Sequence, residues 1–482
     1  MLKNIAGRQI ELQKLKRALE SDKAEFIAVY GRRRIGKTFL IREFFGERIG
    51  FELIGIYNAS LQEQLDNFAN SMCEALKIDI PVKSPASWQE AFSMLKNFLE
   101  SKKGKAKKVV FLDELPWLNS SRSGFLKQLE HFWNSYASKK KDLILIVSGS
   151  AASWMIQHVV DSKGGLHNRL TQQIRLLPFT LTEIEDYLRM RKIKNLDHYQ
   201  ILQLYMAIGG VPYYWSFVQK GLSAAQIIDD LVFSDYAEFR NEYDQLFASL
   251  FDNNDLHEKV VEVLAGKRKG LNRKEILSVM KLKSGGTASN IIRELEESGF
   301  IESYIPFGKN SNDARFILSD EFTLFHLYWI APIGKRKTGN AYWIKMQTGS
   351  KFKAWSGHSF EGICLKHIEK IKYHLRIDKI QSNEAPWEYK AGKNSKETGV
   401  QIDMLIDRKD MVINLCEMKF YQSEFTIDKS YAEELRRKID VFKTRTNTRK
   451  SIFLTIVTTF GLKSNSHSSS LNAIGVSMDA LF

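Results

Sequence analysis

Two groups of residues in this chain have the types and spacing to work on phosphate. The first is Gly31-Arg32-Arg33-Arg34-Ile35-Gly36-Lys37-Thr38. Two glycines bracketing four residues, then Lys and a hydroxyl, make a loop whose backbone N–H groups turn inward. Lys37 then reaches the β/γ-phosphates and the Thr38 hydroxyl holds Mg²⁺. Carboxylates to match stand at Asp113-Glu114, directly after the apolar run Val109-Val110-Phe111-Leu112. Asp113 is suited to hold Mg²⁺ through water, and Glu114 to orient or deprotonate an attacking water. The second group is Asp403, Glu417 and Lys419, with Glu361 upstream. Two carboxylates beside an ammonium suit phosphodiester hydrolysis: Asp403 and Glu417 hold Mg²⁺, and the metal lowers the pKa of a bound water. Lys419 positions that water and offsets charge on the phosphate. Glu361 is a further candidate metal ligand or water-organising group.

These residues need elements to hold them. Phe26 to Tyr30 reads as a buried strand entering the glycine loop, and Phe39, Leu40, Phe44 and Phe45 give the following helix an apolar face. That context favours a nucleotide cradle over a plain strand–helix turn. A second strand is expected over 51–57, and helices over about 61–77 and 87–101. The run 109–112 exposes its two carboxylates at the end where open α/β sheets bind ligands. Leu143 to Val147 is the next buried strand, closing with Ser148-Gly149-Ser150. There a γ-phosphate-sensing hydroxyl and an ordinary small-residue turn stand as equal readings. Arg169, in Gly164-Gly165-Leu166-His167-Asn168-Arg169-Leu170, either supplies charge to a γ-phosphate of its own or a neighbouring chain, or is a surface arginine. Ahead of the loop, Gly7-Arg8-Gln9-Ile10-Glu11-Leu12 starts a helix with Leu12, Leu15 and Leu19 on one face. It either packs beside a bound base or is an ordinary surface helix.

Downstream, the pattern is helical over 181–250, with a turn at Gly209-Gly210-Val211-Pro212 read mainly as structural punctuation. Next come three short helices. The second opens with Asn272 and Glu275 at capping-box spacing and Leu271/Ile276 as a staple. The third, after Ser284-Gly285-Gly286, turns Ala288, Ile291, Ile292 and Leu295 inward and Thr287, Ser289, Asn290 and Arg293 outward. Strands at 300–304 and 315–318 then flank a polar tip, Gly308 to Asp313. Three helices and a hairpin make a winged helix-turn-helix, whose third helix serves either the DNA major groove or domain packing. From Gly334 to Trp355, Lys335, Arg336, Lys337, Lys345, Lys351 and Lys353 alternate with Tyr342, Trp343, Phe352 and Trp355. This is either a phosphate-and-stacking surface for nucleic acid or a basic hinge with buried rings. A helix over about 359–373 is expected to carry Glu361 at its start. Strands 400–407 and 411–419 form a hairpin that brings Asp403 close to Glu417, with Glu417 and Lys419 on one face. A helix from about 430 to 442 and a strand over 451–458 follow. The roles of Tyr431 and Lys438 stay open.

The chain has 482 residues, 44% of them hydrophobic, and a formal net charge of +15. That length suits three or four domains, and that charge suits a polyanionic partner, nucleic acid before an acidic membrane surface. Cys73, Cys364 and Cys416 show no metal-ligand spacing and read as reduced cysteines of a cytoplasmic protein. No leader and no run of membrane-spanning length is expected.

With these residues in view, 1 to about 250 resemble the AAA+-like archaeal-type P-loop ATPases, common in archaea and bacteria. The features are Gly7-Arg8 with Glu11-Leu12, the phosphate loop, Asp113-Glu114, the Gly-Ser after the fourth apolar strand, Arg169 with Pro178-Phe179, and Gly209-Gly210-Val211-Pro212. The resemblance implies ATP and Mg²⁺ as cofactors, a helical lid, and relatives that act beside nucleic acid. The triple arginine is unusual and leaves the motif intact. Ile402-Asp403 … Glu417-Met418-Lys419 with Glu361 resembles the PD-(D/E)xK nuclease superfamily, with Ile402 where the name expects proline. The expected architecture is therefore α/β. It comprises a P-loop ATPase domain (1–180), a helical lid (181–252), a winged helix-turn-helix (253–325) and a restriction-endonuclease-like domain (326–482). The expected function is an ATP-hydrolysing, DNA-associated protein with a Mg²⁺-dependent nuclease domain whose access is gated by nucleotide. The alternative is an ATP-switched DNA-binding regulator or scaffold with an inactive last domain. Assembly into a homo-oligomer stays open.

Overall fold

A computed structural model describes residues 4–482 except 103, 105, 162–165, 167, 236, 252, 253, 282–285, 335, 337, 340 and 393–397. Gly164, Gly165, His167, Ser284, Gly285, Lys335 and Lys337 therefore lie outside the described residues. The chain divides into two compact units. One is Met1–Pro178 with Ala248–Asp252 and Glu297–Gly299; the other is Phe179–Phe247, Asn253–Glu296 and Phe300–Phe482.

The first unit is built on strands β1 (Glu25–Tyr30), β2 (Ile49–Ile54), β3 (Lys108–Asp113), β4 (Leu143–Gly149) and β5 (Gln172–Arg175). They form one sheet in the order β2-β3-β4-β1-β5, and each neighbouring pair is parallel. Their near-continuous apolar runs follow from burial on both faces. Alternate residues serve opposite cores. Ile27, Val29, Val109, Phe111, Ile144 and Ile146 pack with helices α1 (Gln9–Glu20) and α2 (Lys37–Phe45). Phe26, Ala28, Val110, Leu112, Leu145 and Val147 pack with helices Leu61–Leu76, Trp88–Ser101 and Phe125–Ser135. The second strand begins and ends earlier than its hydrophobic pattern suggested, at Ile49–Ile54. Its neighbour in the sheet, β3, sets that register.

In the second unit, helices Leu181–Met190 and His198–Ile208 lead into the Gly209-Gly210 turn. A Cβ on Gly210 would lie 2.0 Å from the Phe179 carbonyl oxygen, so the second glycine is demanded by backbone contact. Helices Asp255–Ala265, Arg273–Met280 and Gly286–Glu297 follow, with β6 (Leu271–Asn272), β7 (Ile301–Tyr304) and β8 (Arg315–Leu318) in a small antiparallel sheet ordered β6-β8-β7. The Asn272/Glu275 capping box is present. Ala288, Ile291, Ile292 and Leu295 are buried, while Thr287, Ser289, Asn290 and Arg293 are exposed.

The last part of this unit holds a mixed sheet of β9 (Ser382–Tyr389), β10 (Val400–Arg408), β11 (Val412–Lys419), β12 (Ser451–Thr458) and β13 (Ile474–Ser477). Its order is β13-β12-β11-β10-β9; β12 is parallel to both its neighbours, and β10 is antiparallel to both of its own. Helix Lys429–Thr446 covers one face with Ala432, Leu435 and Phe442 against Ile402, Leu405, Ile413 and Leu415. Ile402 and Leu405 are three residues apart yet share this core, which a strictly alternating strand forbids. A register shift between them absorbs the odd residue, opposite Pro386, which has no N–H to give the ladder. Asp403 sits inside that irregularity.

One expectation is corrected here, and of the two readings of 334–355 the buried rings are observed for Trp343, Phe352 and Trp355. Glu361 does not open a helix: the helix runs Ser350–Lys366 and Glu361 lies in its second half. It starts early because Phe352 and Trp355 belong to a core with Trp329 and Trp343, all at most 4% exposed. Those rings are therefore not free for base stacking, and Lys351 instead lies 4.5 Å over the Trp329 ring.

Candidate functional site

The phosphate loop leaves β1 at Gly31, whose φ of +149° and packing exclude a side chain. A Cβ there would lie 2.3 Å from the Leu176 oxygen and 2.5 Å from Ile35 Cδ1. Arg32 and Ile35 are buried, Arg33 is exposed and Arg34 is half-buried in the left-handed region. Gly36, at φ +89°, caps α2 without a side-chain acceptor, so the positive end of the helix points into the loop. Lys37 folds back over the cradle. Its ammonium donates to the Gly31 and Arg32 carbonyls at 3.1 and 3.2 Å and to Ser150 Oγ at 2.7 Å. Burial lowers its pKa, against the opposing pull of Glu114 and Asp113. A desolvated cation over inward N–H groups is the environment a polyphosphate would relieve.

The carboxylates meet this loop as the sheet order requires, since β4 lies between β1 and β3. Thr38 Oγ1 donates to Asp113 Oδ2 at 2.5 Å, and Ser148 Oγ donates to Asp113 Oδ1. Glu114, in the left-handed region at φ 49°, accepts from Ser150 N at 2.9 Å and Ser150 Oγ at 2.5 Å. Ser150 thus links Lys37 to Glu114. Both serines engage the carboxylates, a part that the short Ser-Gly-Ser pattern alone did not separate from a turn. Arg8 is also buried: its guanidinium donates to the Leu177 oxygen at 2.7 Å and the Ile35 oxygen at 3.3 Å, bracing the loop from outside. The Gly7-Arg8 pair was noted in the sequence, but its targets are two backbone carbonyls and so leave no mark on it. Arg169 is exposed in the turn before β5, and its backbone N–H donates to the Leu166 oxygen at 3.1 Å.

The second group converges on the β10–β11 hairpin. One step beyond the paired Met404 and Cys416, Asp403 faces Glu417. Lys419 Nζ lies 3.4 Å from Asp403 Oδ2 and 3.2 Å from Glu417 Oε2, and the Met418 N–H donates to Asp403 Oδ2 at 2.9 Å. From helix Lys429–Thr446, Lys438 Nζ donates to Glu417 Oε2 at 2.8 Å, and the Tyr431 hydroxyl donates to the same oxygen at 3.2 Å. Helix spacing lets both residues reach one carboxylate from one face. Burial pushes the Asp403 pKa up, but Lys419, Lys269 and the Met418 N–H outweigh it and hold the carboxyl below its ordinary range. Burial, then repulsion from Asp403, raises Glu417 despite its two lysines. Glu361 lines a cavity with Asp403, and burial and Asp403 push its pKa from 4.5 to about 7, against Lys269 and Arg268.

Among the described residues, no group of three or more His, Cys, Asp or Glu is arranged to hold a metal. The donor set still fits Mg²⁺, which commonly takes one or two carboxylates and completes its shell with water and phosphate. Glu417 Oε1 is fully buried with no hydrogen-bond partner among the described residues, an acceptor that a cation or its water would satisfy. In the first unit, Thr38 and Asp113 supply the equivalent oxygens. Among the described residues no helix is long and apolar enough to cross a membrane.

A parallel sheet with a glycine cradle, a buried lysine and two strand-end carboxylates defines a P-loop ATPase. Residues 5–217 match the family model described as an ATPase domain predominantly from Archaea. The match ends before the β9–β13 sheet. An uncharacterized protein of Methanocaldococcus jannaschii is 24% identical over 336 residues, 67% of this chain and 68% of that one. Among solved structures, a Walker-type ATPase of Pyrococcus abyssi is similar at 18% identity and a TM-score of 0.49, over 68% of this chain and 99% of its own. The ORC2 protein of Aeropyrum pernix, solved in ADPNP–ADP complexes, is similar at 14% identity and a TM-score of 0.40, over 68% and 94%.

Proposed function

We propose that this ATPase acts on DNA and that Asp403, Glu417 and Lys419 hydrolyse its phosphodiester backbone. For the ATPase step, Lys37 and the α2 N-terminus hold the phosphates, Thr38 and Asp113 hold Mg²⁺, and Glu114 orients the attacking water. Bound Mg²⁺ supplies charge neutralisation on the transferred group. Arg169 remains a candidate for a further positive charge, from its own or a neighbouring chain.

The observation that carries the hydrolytic reading is the shared lysine. Lys419 touches both carboxylates within 3.4 Å, so water, phosphate and acid can be assembled at one place. Glu361 is proposed as an additional ligand or water-organising group. Asp403 and Glu417 would hold Mg²⁺, which would make a bound water more acidic. A formal charge of +15 supports a polyanionic substrate.

One observation favours a second reading. Lys438 and Lys419 both sit on Glu417, so its Oε2 is already neutralised without metal. That suits an inactive domain that binds without cutting, switched by ATP. Metal-dependent nicking of plasmid, with and without ATP, in wild type and Lys419→Ala, separates the two. The hydrolytic reading expects wild type to nick and the variant to lose nicking; no cleavage by pure wild type in any divalent metal would leave the scaffold reading standing. Lys37→Ala is expected to abolish ATP hydrolysis, and unchanged turnover would remove Lys37 from the site.

A further inference from the structure

The turn between helix Asp255–Ala265 and β6 places a pair of cations at the carboxylate pocket. Arg268 and Lys269 line a cavity of about 40 Å³ together with Glu361, Asp403 and Pro386, room for a water or a small ion. Arg268 Nη1 lies 3.4 Å from Glu361 Oε1, and its Nη2 donates to the Ala354 oxygen at 2.5 Å. Lys269 is held less tightly: its ammonium makes one long contact among those described, 3.4 Å to the Ile402 oxygen. Its stem is half-buried and its three donors are not saturated.

We propose that Lys269 binds a backbone phosphate of the nucleic acid entering the pocket, with Arg268 as the positioning residue that holds Glu361 beside it. The proposal rests on reading Asp403, Glu417 and Lys419 as a hydrolytic site, and it makes the winged helix a structural part of that site. Lys419 already bridges two carboxylates and Lys438 is buried on Glu417, which leaves Lys269, among the described residues lining this cavity, as the lysine with donors to offer. A plug that must withdraw before substrate enters would need a loose turn. This one is pinned: the Lys269 oxygen accepts from the Tyr304 hydroxyl at 2.8 Å and Arg315 Nε at 3.0 Å, and the Gly270 oxygen from Arg315 Nη2 at 2.9 Å. Gly270, at φ +59°, sits where a Cβ would lie 2.1 Å from the Phe316 oxygen. A cation on so fixed a turn is pre-organised for a ligand.

The test is anisotropy of a fluorescein-labelled DNA duplex, with the full chain in EDTA, across a salt series. Lys269→Gln, which keeps the stem, is expected to bind several-fold more weakly and to reduce the salt slope by about 0.9, the share of one phosphate contact. Lys269→Arg restores both. Lys409→Ala is the matched control, since that lysine sits in the β10–β11 turn about 20 Å along the strand from Asp403. Wild-type affinity and slope in Lys269→Gln would overturn the proposal, and so would tighter binding, the outcome for a plug. Plasmid nicking is scored in parallel, where Lys269→Gln is expected to raise KM more than it lowers kcat. Binding that depends on Lys269 without any nicking by wild type would sink the hydrolytic reading alone. Nicking with a KM indifferent to Lys269 would sink the phosphate contact alone.

Discussion

Replacing Glu361 by Gln tests whether the carboxylate pocket stores unfavourable charge. The Glu361 side chain is 14% exposed and faces Asp403, and burial with that repulsion raises its pKa from 4.5 to about 7. At 1.36 kcal/mol per unit, the shift corresponds to about 3 kcal/mol between the protonated and ionised folded states. The sign follows from where the protons sit. Below pH 4.5 folded and unfolded chains both carry this proton; between 4.5 and about 7 the folded chain keeps it and the unfolded chain has lost it. Stability from this group is therefore full at the acid end and lost as pH rises through the folded value. The amide cannot ionise, so the variant is expected to lack that slope and to gain up to about 3 kcal/mol on wild type on going from mildly acidic to mildly alkaline buffer. Urea melts of the full chain in EDTA, followed by tryptophan fluorescence at several pH values, measure the difference between the two proteins. Parallel pH profiles for wild type and variant would refute the reasoning, because they would mean that Glu361 titrates alike in both states.

Gly31→Ala puts a methyl group 2.3 Å from a backbone oxygen at a φ that disfavours any side chain. A cost of about 3 kcal/mol or a displaced loop is expected, read as a lower melting temperature together with weaker binding of a fluorescent ATP analogue. Lys438→Met leaves the fully buried Glu417 to Lys419 and Tyr431. It should cost about 1–3 kcal/mol in alkaline buffer and less in acid, where a proton replaces the lost ammonium. Adding Glu417→Gln should recover most of that loss, and a double-mutant cycle in urea measures the coupling.

The candidate phosphate site was legible because its parts lie close together in sequence or end a strand. Gly31 to Thr38 is one continuous motif, and Asp113-Glu114 at the end of an apolar run, weak as a sign alone, gains weight beside it. The inward face of helix Gly286–Glu297 was legible for the same reason, through Ala288, Ile291, Ile292 and Leu295 at helical spacing. What stayed hidden depends on contacts across long sequence separations. Ser150 meets Lys37 from 113 residues away, and Lys269 reaches the Ile402 backbone from 133. The role of Lys438 stayed open in the sequence, and it took the sheet to place Glu417 beside it. The segment 342–355 stayed ambiguous for another reason: rings and cations alternate there as in a nucleic-acid surface, yet core packing uses Trp343, Phe352 and Trp355 and leaves the cations outside.

The unpaired residue in β10 has a further consequence. It uncouples the two halves of that strand, so the acid at 403 is aimed by a backbone irregularity and not by simple even–odd counting from its hydrophobic neighbours. Removing Met404 would leave Asp403 opposite Pro386 in a regular ladder, and it would carry the carboxylate to the face opposite Leu405 while hardly altering the composition of the strand.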